Sequence, residues 1–257
     1  MKGVYIIWYR EILIYLRNPI KFFTSLFLPF FILIFFNLGL KTISPSFYLT
    51  SHFPEFFFSG ILGLSAATMA FSSTISTVWD REFGFLREIL VSPVPRSHIV
   101  LGKILGAATT ALIQGTLILL IAPFLGISLK ISIFLKALLA IFLISYGMAG
   151  LGFFLASHLK RIESFSIVLQ LIIAPMVFLS GAFFPINNSI PWMLKLSQYN
   201  PLTYGINILR WLLFENLLPK EEILKMTTRG LSYSLFAIII FSVIITFISV
   251  QLFKKIK

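Results

Sequence analysis

The densest run of ionisable side chains lies in DREFGFLREILVSPVPRSHIVLGK, from Asp80 to Lys103, where Asp80, Arg81 and Glu82 are followed by Arg87 and Glu88. The chemistry such a run offers is charge pairing, either with a partner protein or with water. At 3.6 residues per turn Asp80, Arg81, Gly84, Arg87 and Glu88 share one arc, and Phe83, Phe85, Leu86, Ile89 and Leu90 share the other. Glu82 alone breaks the pattern. The spacing predicts a short amphipathic helix over 80–92, stopping at Ser92 because Pro93 disfavours helical backbone in the residue before it. It is either a docking element or a solvated cap over what lies beneath. A second set, Arg10, Arg17 and Lys21, recurs at intervals of seven and four and so falls on one narrow helical face. Tyr5, Trp8, Tyr9 and Tyr15 surround it with rings that prefer the headgroup level, which predicts an interfacial helix within 1–21 ending near Pro19. The plainer alternative is a basic flank. A third set is Asn200, Pro201, Thr203, Asn207 and Arg210. Asn200 is suited to cap a helix that starts at Pro201, and Thr203, Asn207 and Arg210 then line one face. Arg210 on that face points to a cavity, to a partner or, by snorkelling, to lipid headgroups.

Other chemistries are missing. No GxxxxGK[ST] phosphate loop occurs, so ATP hydrolysis is not expected of this chain. His52, His98 and His158 fall in different loops, there is no cysteine, and no metal site or catalytic residue is expected.

What must position these sets is a membrane bundle. Of the 257 residues 58% are hydrophobic and 12% charged, and mean hydropathy is +0.96, which does not describe a soluble domain. Six stretches, 22–40, 56–78, 104–126, 137–157, 164–182 and 231–253, reach the roughly 20 apolar residues that a helix needs to cross a bilayer. None contains Asp, Glu, Lys, Arg or His. Lipid cannot satisfy open backbone, so the fold class is all-α integral membrane: a single transmembrane domain over 1–257 with six transmembrane helices. Ion-coupled carriers and intramembrane hydrolases need ionisable groups at membrane depth, and these spans supply none. Pro29, Pro123 and Pro175 lie inside spans and should loosen helices there. Gly102 with Gly106, and Ala107 with Ala111 and Gly115, offer small faces for close helix approach.

The net charge of +12 is spread over the loops and is read as a topology signal, not as nucleic-acid binding. With both termini inside, inner segments hold thirteen Lys/Arg against eight outside, five of these in one long loop. Both termini are therefore expected in the cytoplasm. No removable signal peptide is expected. That long outer loop, 183–230, is too apolar for a linker; Pro191–Gln198 and Pro201–Phe214 are too short to cross, and read as re-entrant half-helices.

FLSGAFFPINNSIPWMLKLSQYNPLTYGINILR, Phe178 to Arg210, and DREFGFLREILVSPVPRSHIVLGKIL resemble the permease subunits of the type-2 ATP-binding-cassette exporter family, and the likeness covers nearly the whole chain. The resemblance implies two permease subunits, alike or different, paired with two ATPase subunits that carry the ATP and magnesium. It implies that helix 80–92 is the coupling helix, with Arg81, Glu82, Phe83, Arg87 and Glu88 meeting the ATPase, Glu82 foremost. It implies a path lined by the inner halves of spans 1, 2 and 5, with Asn37, Ser72, Thr74, Gln170 and Phe178 as its lining. The form NPLTYGINILR is similar to drug- and lipid-export members, so efflux of an amphipathic or hydrophobic substrate across the cell membrane is the expected activity. The alternative is a non-transporting membrane scaffold that docks a cytoplasmic partner through the same helix.

Overall fold

The computed structural model describes residues 2–43, 52–188 and 190–255, and among them every regular element is helical. Six helices are long and apolar enough to cross a membrane, which makes this an all-α membrane protein. Helix α1 (Lys2–Leu16) precedes the first span, α2 (Pro19–Ile43). The second span is α3 (Phe53–Ser73) continued by α4 (Ile75–Glu82), with α5 (Phe85–Val91) after it. Three more spans follow, α6 (Arg96–Leu119), α7 (Ile131–Ala156) and α8 (Ile162–Leu179). Short helices α9 (Pro191–Ser197), α10 (Pro201–Phe214) and α11 (Lys220–Met226) lead to the last span, α12 (Leu231–Phe253). We call the end that carries α1, α4 and α5 the near end, and the end that carries α10 the far end.

Three expectations shift. The single helix over 80–92 is two pieces: Asp80 to Glu82 finish α4, and α5 begins after Gly84, whose φ of +84° is the left-handed conformation that a side chain disfavours. The third span starts at Arg96 and takes Lys103 into the bundle, then stops at Leu119 and not at residue 126. Pro123 has no N–H to continue the helical ladder, so it lies outside the span, in a tight turn over Ala122–Leu125 closed by left-handed Gly126. The stretch 183–230, expected as an outer re-entrant loop with two half-helices, holds a third helix, α11.

The spans divide by burial. Most of α3–α4, α6 and α7 is buried within the chain, whereas few residues of α2, α8 and α12 are fully buried and the rest are half-buried or exposed. Phe27, Phe31 and Phe35 of α2 stack along one exposed face. The far-end helix α10 is buried against α3, α7 and α12.

At the near end α1 lies along α6, where the Gly102 and Gly106 pair removes side chains from the contact. A methyl placed on Gly102 would sit 2.8 Å from Ile7 Cβ, and one on Gly106 would sit 2.5 Å from Glu11 Cβ. Trp8 Nε1 adds a hydrogen bond to Thr109 Oγ1 at 2.9 Å. Gly106→Ala is therefore expected to destabilise the protein by about 1–3 kcal/mol through overpacking. Gly230→Ala, with nothing within 4 Å, should stay within about 0.5 kcal/mol. Thermal unfolding of both variants in one detergent checks this, and equal melting temperatures would refute it.

Candidate functional site

Three consecutive side chains end the second span. Each helical residue is rotated about 100° from the last, so neighbours in sequence point to different partners. Asp80 turns to α1 and α6: Arg10 Nη1 donates to its Oδ2 at 2.9 Å, and Lys103 Nζ donates to the same oxygen at 2.7 Å. Lys103 also donates to Glu11 Oε1 at 3.1 Å. Lys103 is 1% exposed and Glu11 7%, so this four-charge cluster, formally neutral, is closed off from water except at Arg10. Its hydrogen bonds to Asp80 hold the Arg10 guanidinium above its ordinary pKa. Arg81 turns to the loop before α8, its Nη1 donating to the Leu159 carbonyl at 3.1 Å. Glu82 accepts from the Ile162 backbone N–H at 2.8 Å, so a carboxylate caps the N-terminus of α8, where the helix dipole favours negative charge.

Arg81 and Glu82, expected to face a partner, are thus occupied within the chain. Phe83 and Glu88 are exposed, with Phe85 and Val91 beside them; Leu86 is buried under α5. The side chain of Arg87 lies outside the described residues. The sequence reading missed Arg10, Glu11 and Lys103 as one cluster with Asp80. The signal that could have found them was a lysine next to the Gly102 and Gly106 pair that seats α1.

A groove of about 390 Å³ lies between α2, α3 and α8. Ser25, Pro29, Thr68, Ser72, Ile173 and Val177 line it, and Gln114 of α6 closes its floor. Gln114 Nε2 donates to the Ser25 carbonyl at 2.7 Å, while its Oε1 has no partner among the described residues. The hydroxyls of Thr68 and Ser72 are returned to their own helix, at Leu64 O and Met69 O, which leaves the wall chiefly apolar.

Of the residues expected to line a path, Ser72 is in this groove. Thr74 is not: it is buried, bonds the Phe71 carbonyl and packs against Gly152 of α7. Gln170 and Phe178 lie on the exposed side of α8, because Leu169, Ile173 and Val177, four residues apart, take the groove side and leave the next position rotated away. The side chain of Asn37 lies outside the described residues.

At the far end the polar face of α10 holds the other end of α8. Asn200 caps α10 by accepting from the Leu202 N–H at 3.0 Å, and its Nδ2 donates to the Met176 carbonyl at 2.7 Å. Thr203 Oγ1 donates to the Leu179 carbonyl at 3.1 Å, and Asn207 Nδ2 to Thr228 Oγ1 at 2.8 Å. Arg210 donates to the carbonyls of Gly181 and, at 3.2 Å, Met226, and stacks 3.7 Å over the Phe56 ring. Pro201 opens the helix at its first position. Arg210 is 1% exposed, so the headgroup alternative is set aside in favour of a protein cavity. Desolvation pulls its pKa down from the ordinary arginine value, to about 9. Helix α8 is therefore pinned at both ends by hydrogen bonds, while its middle packs through one side only, at Leu169, Ile172 and Ile173. Among the described residues no three His, Cys, Asp or Glu side chains gather as a metal site.

Residues 2–214 match the ABC-2 type transporter family. The chain is 31% identical over 204 residues to the transport permease ycf38 of Cyanophora paradoxa, covering 76% of this chain and 69% of that protein. It is 29% identical over 202 residues to nodulation protein J of Sinorhizobium fredii, covering 78% and 73%. It is 27% identical over 161 residues to the inner membrane transport permease YadH of Escherichia coli K12, covering 61% of each.

Proposed function

This chain belongs to the ABC-2 type transporter family and is a transport permease, and on that basis we propose that it forms the membrane path of an ATP-driven exporter. In this reading the near end faces the cytoplasm, with both termini inside the cell membrane. A separate ATPase subunit, present in two copies and carrying ATP and magnesium, docks on α5. A second permease subunit, alike or different, covers the bare faces of α2 and α8. The substrate is a hydrophobic or amphipathic molecule of drug or lipid type, taken through the groove that α2, α3 and α8 surround.

One observation carries the reading: Asp80, Arg81 and Glu82 join the segment beside α5 to α1, α6 and the start of α8. A push on α5 reaches the wall of the groove through those bonds, since they end on the first turn of α8, a helix with a single fully buried side chain, Phe165. The apolar groove wall supports an apolar substrate, since a polar one would leave its hydrogen bonds unmade there. The exposed Phe85 and Val91 on α5 support a protein partner, because large apolar side chains left uncovered at a loop are the usual core of an interface.

The test is to isolate the tagged chain in mild detergent from its own membrane and to reconstitute what copurifies with it. A stoichiometric ATPase and ATP-dependent movement of a lipophilic dye are expected. Val91→Asp should then lower ATP-dependent transport at least about tenfold, the loss of one buried apolar contact plus a desolvated charge, with unchanged expression. Unimpaired transport in Val91→Asp would remove α5 from the coupling role. Isolation of the chain without an ATPase, in an extract where other such complexes stay whole, would favour a scaffold.

A further inference from the structure

A separate cavity of about 440 Å³ opens at the near end between α1, the start of α2 and the α4–α5 turn. Its interior is basic. Arg10 and Lys21 both line it, and the carboxylate in its wall, Asp80, is already engaged by Arg10 and Lys103. Glu11, behind it, is taken by Lys103. The four charges cancel, and Lys21 remains. Its ammonium makes no hydrogen bond or salt bridge among the described residues, although its backbone N–H is held by Asn18 Oδ1 at 3.0 Å. Arg17, exposed one turn away, adds to the surplus. The rim is the opposite in character. Ile14, Trp79 and Phe83 stand there between 43% and 59% exposed, an arrangement that water disfavours, while Phe85 beside them belongs to the α5 surface already assigned to a protein partner.

A cation that no carboxylate reaches directly, Glu11 acting on it only at a distance, inside an apolar rim fits a ligand with an anionic head and apolar tails. A free anion would satisfy Lys21 and leave the rim bare, and a neutral lipid would do the reverse. We propose that this cavity seats an acidic phospholipid of the adjoining leaflet, its phosphate on Lys21 and Asn18 and its acyl chains against Trp79 and Phe83. The site goes beyond the transport reading, and needs it only to say which leaflet is meant. A lipid held there bridges α1, α2 and the α4–α5 turn.

Trp79 gives a direct readout once Trp8, Trp192 and Trp211 are replaced by phenylalanine in the full chain. The protein in detergent is titrated with phosphatidylglycerol or phosphatidylcholine carrying brominated chains, which quench a tryptophan they touch. Phosphatidylglycerol is expected to quench at roughly five-fold lower concentration, the preference one lysine gives an acidic headgroup. Lys21→Gln should abolish that preference and Lys21→Arg keep it, while Lys130→Gln, at an exposed position on the far side, should leave it unchanged. Equal quenching by the two lipids, or a preference that survives Lys21→Gln, overturns the proposal. Loss of the preference in millimolar inorganic phosphate would also overturn it, by showing a site for a free anion.

Discussion

Asp80→Ala is expected to lower the folding stability of this protein by about 3–5 kcal/mol, more than any other single substitution at the near end. The carboxylate stands between Arg10 and Lys103, and the two differ in what they can do without it. Arg10 is partly exposed and can turn to water. Lys103 is 1% exposed and cannot, so it loses the shorter of its two carboxylate contacts and shares Glu11 with Arg10 in a cluster now one charge out of balance. Adding Lys103→Met should restore much of the loss, because Arg10 and Glu11, 3.8 Å apart, then balance each other. The double variant would be folded but with α1, α4 and α6 no longer tied by charge, so it should remain poor in transport. Denaturant or thermal unfolding of wild type, both single variants and the double variant forms a complete cycle. A loss below about 0.5 kcal/mol for Asp80→Ala, the size of an ordinary surface change, would show that the cluster does not hold the near end together.

Arg210→Met carries the second large effect, at the opposite end. The guanidinium serves the carbonyls of Gly181 and Met226 and the face of Phe56, and among the described residues no carboxylate forms a salt bridge with it. Methionine fills much of the same volume but donates nothing, so the buried Gly181 carbonyl loses its partner at about 1–3 kcal/mol, and the half-buried Met226 carbonyl loses one at less cost. Removing an unpaired buried charge offsets part of that, and the expected net loss is about 2–4 kcal/mol. Arg210→Lys should fall between, since an ammonium is a single point donor and cannot reach both carbonyls while lying flat over the Phe56 ring. The loss should be local first. Protease sensitivity should rise in the segment from Gly181 to Pro191 and around Met226 before the spans open, which limited digestion followed by mass mapping reads directly. A variant digested at the wild-type sites and rates, with an unchanged melting temperature, would show that the far-end loops are held by other contacts.

Much of the fold was legible in the sequence, because the bilayer imposes a length and a composition that soluble folds do not. The six apolar stretches, the helices at Pro191 and Pro201 and the cap at Asn200 all follow from residue types in order along the chain. The polar face of Thr203, Asn207 and Arg210 was legible too, as a face. What the face touches was not, since spacing places side chains around a helix and says nothing of the neighbour opposite. The end of the third span was misplaced because hydropathy continues through Pro123 to Gly126, while the hydrogen-bond ladder does not. Its beginning was misplaced for the converse reason. Lys103 looks like a loop residue until its two carboxylates, one on α1 and one on α4, are seen to neutralise it.

The sequence by itself determined that this is a helical membrane protein with six spans and with short apolar helices before the last of them. Those features are local, fixed by the length of apolar runs and by prolines and caps within a few residues. The tertiary structure alone decided that Arg81 and Glu82 hold the loop leading into α8, that Asp80 completes a buried ion cluster, and that α2 and α8 are left bare around a groove. Each of those depends on which helices lie side by side. An apolar span is equally content against lipid or against another span, so its hydropathy carries no record of its neighbours.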